Sequence, residues 1–174
     1  MPINLYHADY EYCNYLYSID RKVPIIKGIK ENRPFVGMIL CVNEKNFFAP
    51  LTSPKTKHLY MKETQDFIKI DNGKFGGINL NNMIPIPKRY LHLLNIDEIQ
   101  DKKYAKLLKI QIEWLNKYKY KIEDKAEKLY YSVISNNAQI NLIQRCCNFK
   151  LLEEKCYEYM KDNMIREDEI IYIY

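Results

Sequence analysis

Pro34-Phe35-Val36-Gly37-Met38-Ile39-Leu40-Cys41-Val42 is almost continuously apolar, and the chain then passes through Asn43-Glu44-Lys45-Asn46 into Phe47-Phe48-Ala49-Pro50-Leu51. The first run predicts a strand covered on both faces. Asn, Glu, Lys and Asn are turn chemistry, so the second run reads as its hairpin partner. That partner ends abruptly in Thr52-Ser53-Pro54-Lys55-Thr56-Lys57-His58. Strand ends and loops are where a rigid scaffold presents reactive side chains. Hydroxyl donors, point cations and an imidazole titrating near neutrality are the groups that hold a phosphate. No carboxylate cluster stands beside them in the sequence, so neither a metal nor another cofactor is expected.

Working outward, Ile3 to His7 reads as a short opening strand, and Tyr12, Tyr15, Leu16 and Ile19 recur at helical spacing behind an Asp9 cap. Pro24 to Asn32 is a basic loop. Asp66 to Ile70 predicts a third strand and Asp71-Asn72-Gly73-Lys74 a tight turn, since Asn and Gly tolerate positive φ. Phe75 to Leu80 returns, and Met83-Ile84-Pro85-Ile86-Pro87 suits an edge strand, because proline donates no ladder hydrogen bond. So many short strands in so little chain argue for a small, strongly bent antiparallel sheet or barrel.

After Pro87 the pattern turns helical. Tyr104, Leu108, Ile112, Leu115, Tyr118, Ile122, Ala126, Leu129 and Val133 keep helical spacing, which fits one long helix or two nearly collinear ones. Asp97 and Gln100 have capping-box spacing. Lysine outnumbers acid between Lys102 and Lys128, so the basic surplus is local. A further helix is expected around Asn148 to Met160, and Glu169 to Tyr174 has strand composition. The fold class is therefore α+β, a single domain over 1–174 with a β-rich core at about 1–90 and a helical elaboration at about 91–165.

The 174 residues carry a net charge of +5, a mild pull towards polyanions. Five cysteines without a C-x-x-C and three scattered histidines give no zinc pattern and suit reduced thiols in a cytoplasmic protein. No apolar stretch is long enough for a membrane span, so no membrane partner is expected.

Three blocks carry a family resemblance: Arg33-Pro34-Phe35-Val36-Gly37, then Ala49-Pro50-Leu51-Thr52-Ser53-Pro54-Lys55 with His58, then Asn81-Asn82-Met83-Ile84-Pro85-Ile86-Pro87. In order and spacing they resemble the ToxN/AbiQ family, endoribonuclease toxins of type III toxin–antitoxin systems. The resemblance implies a bent β-core like that of the MazF/Kid toxins and metal-independent cleavage of cellular or phage RNA, as in phage defence. It also implies inhibition by a small, repetitive, folded RNA antitoxin. In the family that RNA is cut by its own toxin and joins several copies in a closed assembly. Carried onto matching positions, the active-site block is Thr52, Ser53 and Lys55, with Arg33 where the family tends to have lysine. A tyrosine that some relatives bring in from the basic loop has no counterpart, since Ile29 falls near its place.

Metal-free cleavage needs a proton acceptor for the attacking 2′-hydroxyl, a donor for the leaving 5′-oxygen and positive charge on the phosphorane. Lys55 and Arg33 supply charge, Thr52 and Ser53 orient phosphate oxygens, and His58 is a second proton carrier. Lys57 and Lys30 extend the basic surface. Lys117, Lys119 and Lys121 interleaved with Tyr118 and Tyr120 suit unstacked RNA bases. Blander readings stand beside these: a polar turn, a surface histidine, a solvated lysine face. In function the alternatives are a non-catalytic RNA-binding module using the same groove, or an inhibitor of a protein target.

Overall fold

The computed structural model describes residues 2–25, 34–42 and 45–171. The opening strand is β1 (Leu5–Ala8), followed by α1 (Tyr10–Ile19), whose first turn is capped as expected: the Asp9 carboxylate accepts from the Tyr12 N–H at 2.8 Å. β2 (Phe35–Val42) and β3 (Lys45–Thr52) form the central antiparallel pair. Then come α2 (Thr56–Tyr60), β4 (Phe67–Lys69), β5 (Gly77–Asn79), β6 (Ile84–Pro85) and β7 (Leu91–Leu93). α3 (Lys102–Lys117), α4 (Lys119–Ile134), α5 (Ile140–Arg145) and α6 (Phe149–Ile171) complete the chain.

Among the described residues, seven strands form one curled antiparallel sheet in the order β4-β5-β3-β2-β1-β7, with β6 also on β3. β3 organises it. One side of β3 pairs with β2, while the other pairs with β6 at Phe47 and Phe48 and with β5 at Leu51 and Thr52. Switching partners along one strand bends the sheet at that strand's C-terminal end. The β2–β3 register also shifts between Val36 and Leu40. Gly37 sits in that shift because a Cβ there would lie 2.5 Å from the Tyr6 ring and 2.8 Å from the Asn4 carbonyl. The tight turn forms as read, with φ positive at Asp71, Asn72 and Gly73.

The helical half departs from expectation at its first cap and at its last residues, and it decides between the two readings of the long stretch. Asp101, not Asp97, caps α3, accepting from the Lys103 and Tyr104 N–H groups at 2.9 and 3.0 Å; Asp97 pairs with Lys109 instead. The long periodic stretch is two helices abutting at Tyr118, where φ −109° and ψ 19° leave the helical region. Glu169 to Ile171 continue α6 rather than forming a strand, and 172–174 lie outside the described residues.

Aromatic packing joins the two halves. Tyr12 stacks on Tyr90 at 5.0 Å with Tyr159 at its edge, and its hydroxyl donates to the Pro85 carbonyl at 2.6 Å. Phe47 of β3 meets Tyr130 of α4 and Phe149 of α6 edge-on, and the buried Tyr130 hydroxyl donates to Glu153. Much of the tyrosine abundance is thus core, which suits a side chain with a large apolar body and one polar tip. Cys13, Cys146, Cys147 and Cys156 are buried thiols and Cys41 is exposed; none forms a disulfide. Among the described residues no helix is long and apolar enough to cross a membrane.

Candidate active-site cleft

Thr52 ends β3 and is 6% exposed, while Ser53, Lys55 and Lys57 after it are exposed. The chain turns here because Pro54 donates no ladder hydrogen bond and α2 begins two residues on. His58 fixes the turn. Its N–H donates to the Lys55 carbonyl at 2.9 Å, and its Nδ1 accepts the Lys55 backbone N–H at 3.2 Å. The imidazole is buried, tilted against Phe67 at 5.4 Å. With Nδ1 accepting, the proton of the neutral ring sits on Nε2. Burial lowers its pKa below the ordinary 6.5, and Lys57, Lys55 and Lys69 lower it further. His58 is therefore neither a solvated surface histidine nor a ready proton store at neutral pH; its ring braces the backbone of Lys55.

Two glycines hold the corner from behind. Gly73 (φ +92°) lies against the His58 carbonyl, and Gly76 (φ +87°) against the Thr52 carbonyl, each so close that a Cβ would stand 2.1 Å from the oxygen. Lys69 completes the brace, its ammonium donating to the Met61 carbonyl at 3.1 Å where α2 ends.

Thr52, Lys55, Lys57 and His58 line a cleft of about 550 Å³, so four sequence-predicted residues meet there. Ser53 lines a separate narrow crevice against α3, beside Pro34, Tyr104 and Gln111. Gln111 is 1% exposed; its amide nitrogen donates to the Phe75 carbonyl at 2.7 Å, and its Oε1 has no hydrogen-bond partner among the described residues. Arg33 and Lys30, with Ile29, lie outside the described residues. Pro34, next to Arg33, accepts from the Leu51 N–H at 2.9 Å, so the chain at Pro34 runs beside the end of β3.

The cleft also contains residues that the sequence did not suggest. Asp66, just before β4, and Arg145, at the end of α5, line it with Asn79 and Asn81. The guanidinium grips the carboxylate twice, Nε to Oδ2 at 2.6 Å and Nη2 to Oδ1 at 3.0 Å. Burial of Asp66 works to raise its pKa, but hydrogen bonds from Arg145 and Thr64 prevail and hold it below the usual carboxylate range. Among the described residues no carboxylate pairs with Lys55, so its charge is available to an anion.

The lysine–tyrosine stretch sits elsewhere. Lys117 lies over the Tyr118 ring at 5.5 Å, Tyr118 leans on Trp114 at 4.5 Å, and Tyr120 is exposed. Lys119 faces Glu123 at 3.5 Å and lines a second groove with Tyr6, Phe48 and Lys88. Lys121 and Lys125 share Glu63, which ties α4 to the loop after α2. None of Lys117 to Lys121 lines the cleft.

The family described as toxin ToxN of type III toxin–antitoxin systems matches residues 4–157. The chain belongs to the ToxN family. It is 32% identical over 163 residues to an endoribonuclease ToxN of Bacillus thuringiensis subsp. kurstaki, covering 90% of this chain and 84% of that one. Among solved structures it is similar to AbiQ, described as a lactococcal anti-phage endoribonuclease of a type III system, at TM-score 0.82 and 26% identity, covering 92% of this chain and 99% of AbiQ. It is also similar to a chain from a structure concerned with selective toxin inhibition by a non-coding RNA pseudoknot, at TM-score 0.79 and 30% identity, covering 92% and 99%. ToxN-family membership thus reaches through the β3 corner, the cleft and the helices that flank it.

Proposed function

We propose that this protein is an endoribonuclease toxin held in check by an RNA antitoxin, and that the cleft at the end of β3 is where it cuts. The observation that carries the reading is the convergence of Thr52, Lys55, Lys57 and His58 on one cleft in a ToxN-family chain. In this account the RNA 2′-hydroxyl attacks the adjacent phosphorus, its proton passing to solvent, and the 5′-oxygen leaves. The products are a 2′,3′-cyclic phosphate and a 5′-hydroxyl. Lys55 neutralises the phosphorane and delivers a proton to the leaving oxygen, with Arg33 adding charge. Thr52, and Ser53 from the adjoining crevice, orient phosphate oxygens. His58 holds Lys55 in place through its Nδ1.

No divalent ion enters this scheme. What supports that is the donor set: among the described residues the cleft offers one carboxylate, Asp66, and Arg145 already occupies both of its oxygens. The partner is a small, folded, repetitive RNA, which the toxin cuts and with which several copies close into an assembly. Lys57, Lys30 and the Lys117–Lys121 face with Tyr118 and Tyr120 contribute phosphate and base contacts. Partner switching along β3 supports reading the core as MazF/Kid-like. Among the described residues, a hydrophobic cluster running from sheet to helices supports one domain, and reduced cysteines suit the cytoplasm.

Incubating the purified protein with RNA in EDTA tests the reading. Discrete cleavage is expected; RNA bound but left intact makes the protein a binding module, and no RNA affinity at all points to a protein target.

A further inference from the structure

We propose that Arg145, fixed by Asp66, anchors an RNA phosphate flanking the scissile one, so that the substrate strand is gripped at two points of the cleft. The inference rests on the endoribonuclease reading. Its basis is an asymmetry in the pair. Asp66 is buried, its side chain 7% exposed, whereas the Arg145 side chain is 49% exposed and lines the cleft. A bridge serving only to fasten α5 onto β4 has no reason to leave its cation half open.

The two hydrogen bonds to Asp66 fix the guanidinium plane, and Nη1 makes one long contact to the Asn141 carbonyl at 3.4 Å. A guanidinium carries five N–H donors in a rigid fork, so donors remain for an anion. That fork matches the oxygens of a phosphate, and an arginine held in advance loses less freedom on binding than a free one. The backbone beneath is also tethered: the Asn81 side-chain amide donates to the Arg145 carbonyl at 3.2 Å, and the Cys147 N–H donates to the Asn81 carbonyl at 2.8 Å.

Charge and size agree. Among the described residues lining the cleft, Lys55, Lys57 and Arg145 outnumber the one carboxylate, Asp66, leaving it cationic. Its volume of about 550 Å³ exceeds what one phosphate needs and falls within the range of roughly 300–1,000 Å³ that holds drug-sized ligands. A nucleotide with its flanking phosphate is of that scale. Lys55 then meets the reacting phosphate and Arg145 its neighbour, which is a binding task more than a chemical one.

The test pairs two variants. Arg145→Lys keeps the charge and removes the fork; Arg145→Leu with Asp66→Asn removes the charge without stranding a buried carboxylate. Each is compared with wild type for thermal stability, for kcat and KM on an RNA oligonucleotide in EDTA, and for the Kd of a fluorescent 2′-fluoro RNA that lacks the attacking hydroxyl. Arg145→Lys is expected to raise KM and Kd roughly tenfold while kcat changes less. The double variant is expected to flatten the dependence of log Kd on log salt by about 0.7, the share of one phosphate contact on a single strand. Wild-type KM and Kd in Arg145→Lys, or a wild-type salt slope in a folded double variant, overturn the anchor. Should the double variant not fold, Arg145→Lys decides alone. Should wild type bind RNA without cutting it, the endoribonuclease reading falls, while the Kd series still decides the anchor.

Discussion

Lysine appears in two settings in this molecule, and the contrast shows what turns a basic residue into a chemical group. At the β3 corner, Lys55 stands on backbone fixed by His58, backed by glycines and faced by no carboxylate among the described residues. Along α3 and α4 the lysines are many, but several sit beside an acid: Lys119 by Glu123, Lys121 and Lys125 by Glu63, Lys128 by Asp124. Such surface pairs contribute about 0–1 kcal/mol and fade with salt. The helices carry more cations; the corner carries the better-placed one. Affinity spread over a face and catalysis concentrated at a point should therefore separate under mutation.

The sharpest separation is expected at Lys55. Replacing it with alanine should lower kcat by roughly 10²–10³, the usual loss of one electrostatic partner in the transition state, with little change in melting temperature because the side chain is exposed. Single-turnover cleavage assays beside thermal melts check this. Wild-type cleavage by Lys55→Ala would erase the distinction between corner and helix.

Next in size is the scaffold behind the corner. Gly76→Ala puts a side chain at φ +87° and a Cβ 2.1 Å from the Thr52 carbonyl, so Thr52 and Ser53 must move. Left-handed strain alone costs about 1–3 kcal/mol. The expected outcome is a lower melting temperature together with at least a tenfold loss of cleavage.

A smaller effect separates bracing from proton transfer at His58. Asparagine can offer an oxygen where Nδ1 accepts the Lys55 N–H, so His58→Asn should keep far more activity than His58→Ala; equal loss in both would favour a proton-carrying ring. The pH dependence follows from the depressed pKa. The unfolded chain takes up a proton near 6.5 that the folded chain refuses, so the contribution of His58 to stability is intact above that value and is lost as pH falls below it. Melting temperatures of wild type should drop below about pH 6.5 more steeply than those of His58→Asn.

The smallest effects belong to the helical face. Lys117→Ala and Lys121→Ala should each weaken antitoxin binding only severalfold at low salt, the difference shrinking as salt rises. Filter-binding titrations across a salt series measure it, and a loss as large as that of Lys55→Ala would make the helix the functional centre.

Much of this arrangement can be read locally. The apolar run before Val42, the turn at Asp71 to Lys74 and the Asp9 cap are short-range signals, and β2, the turn and α1 lie where they point. The corner was legible because Thr52, Lys55, Lys57 and His58 are neighbours in the chain as well as in the cleft. His58 was less so, because its burial depends on Phe67 and Gly73, which a different part of the chain delivers. Arg145 and Asp66 were not legible at all: they stand 79 residues apart, and no periodicity or turn links the end of α5 to the start of β4. The break at Tyr118 was hidden for another reason, since helical spacing of apolar residues continues unbroken through it.

The most direct measurement is the chemistry of the cut ends. RNA cleaved by the wild-type protein in EDTA should carry a 2′,3′-cyclic phosphate on one fragment and a 5′-hydroxyl on the other, the products of 2′-hydroxyl attack in a cleft of fixed cations. Fragments ending in a 3′-hydroxyl and a 5′-phosphate, or cleavage that stops when EDTA is added, would contradict that account.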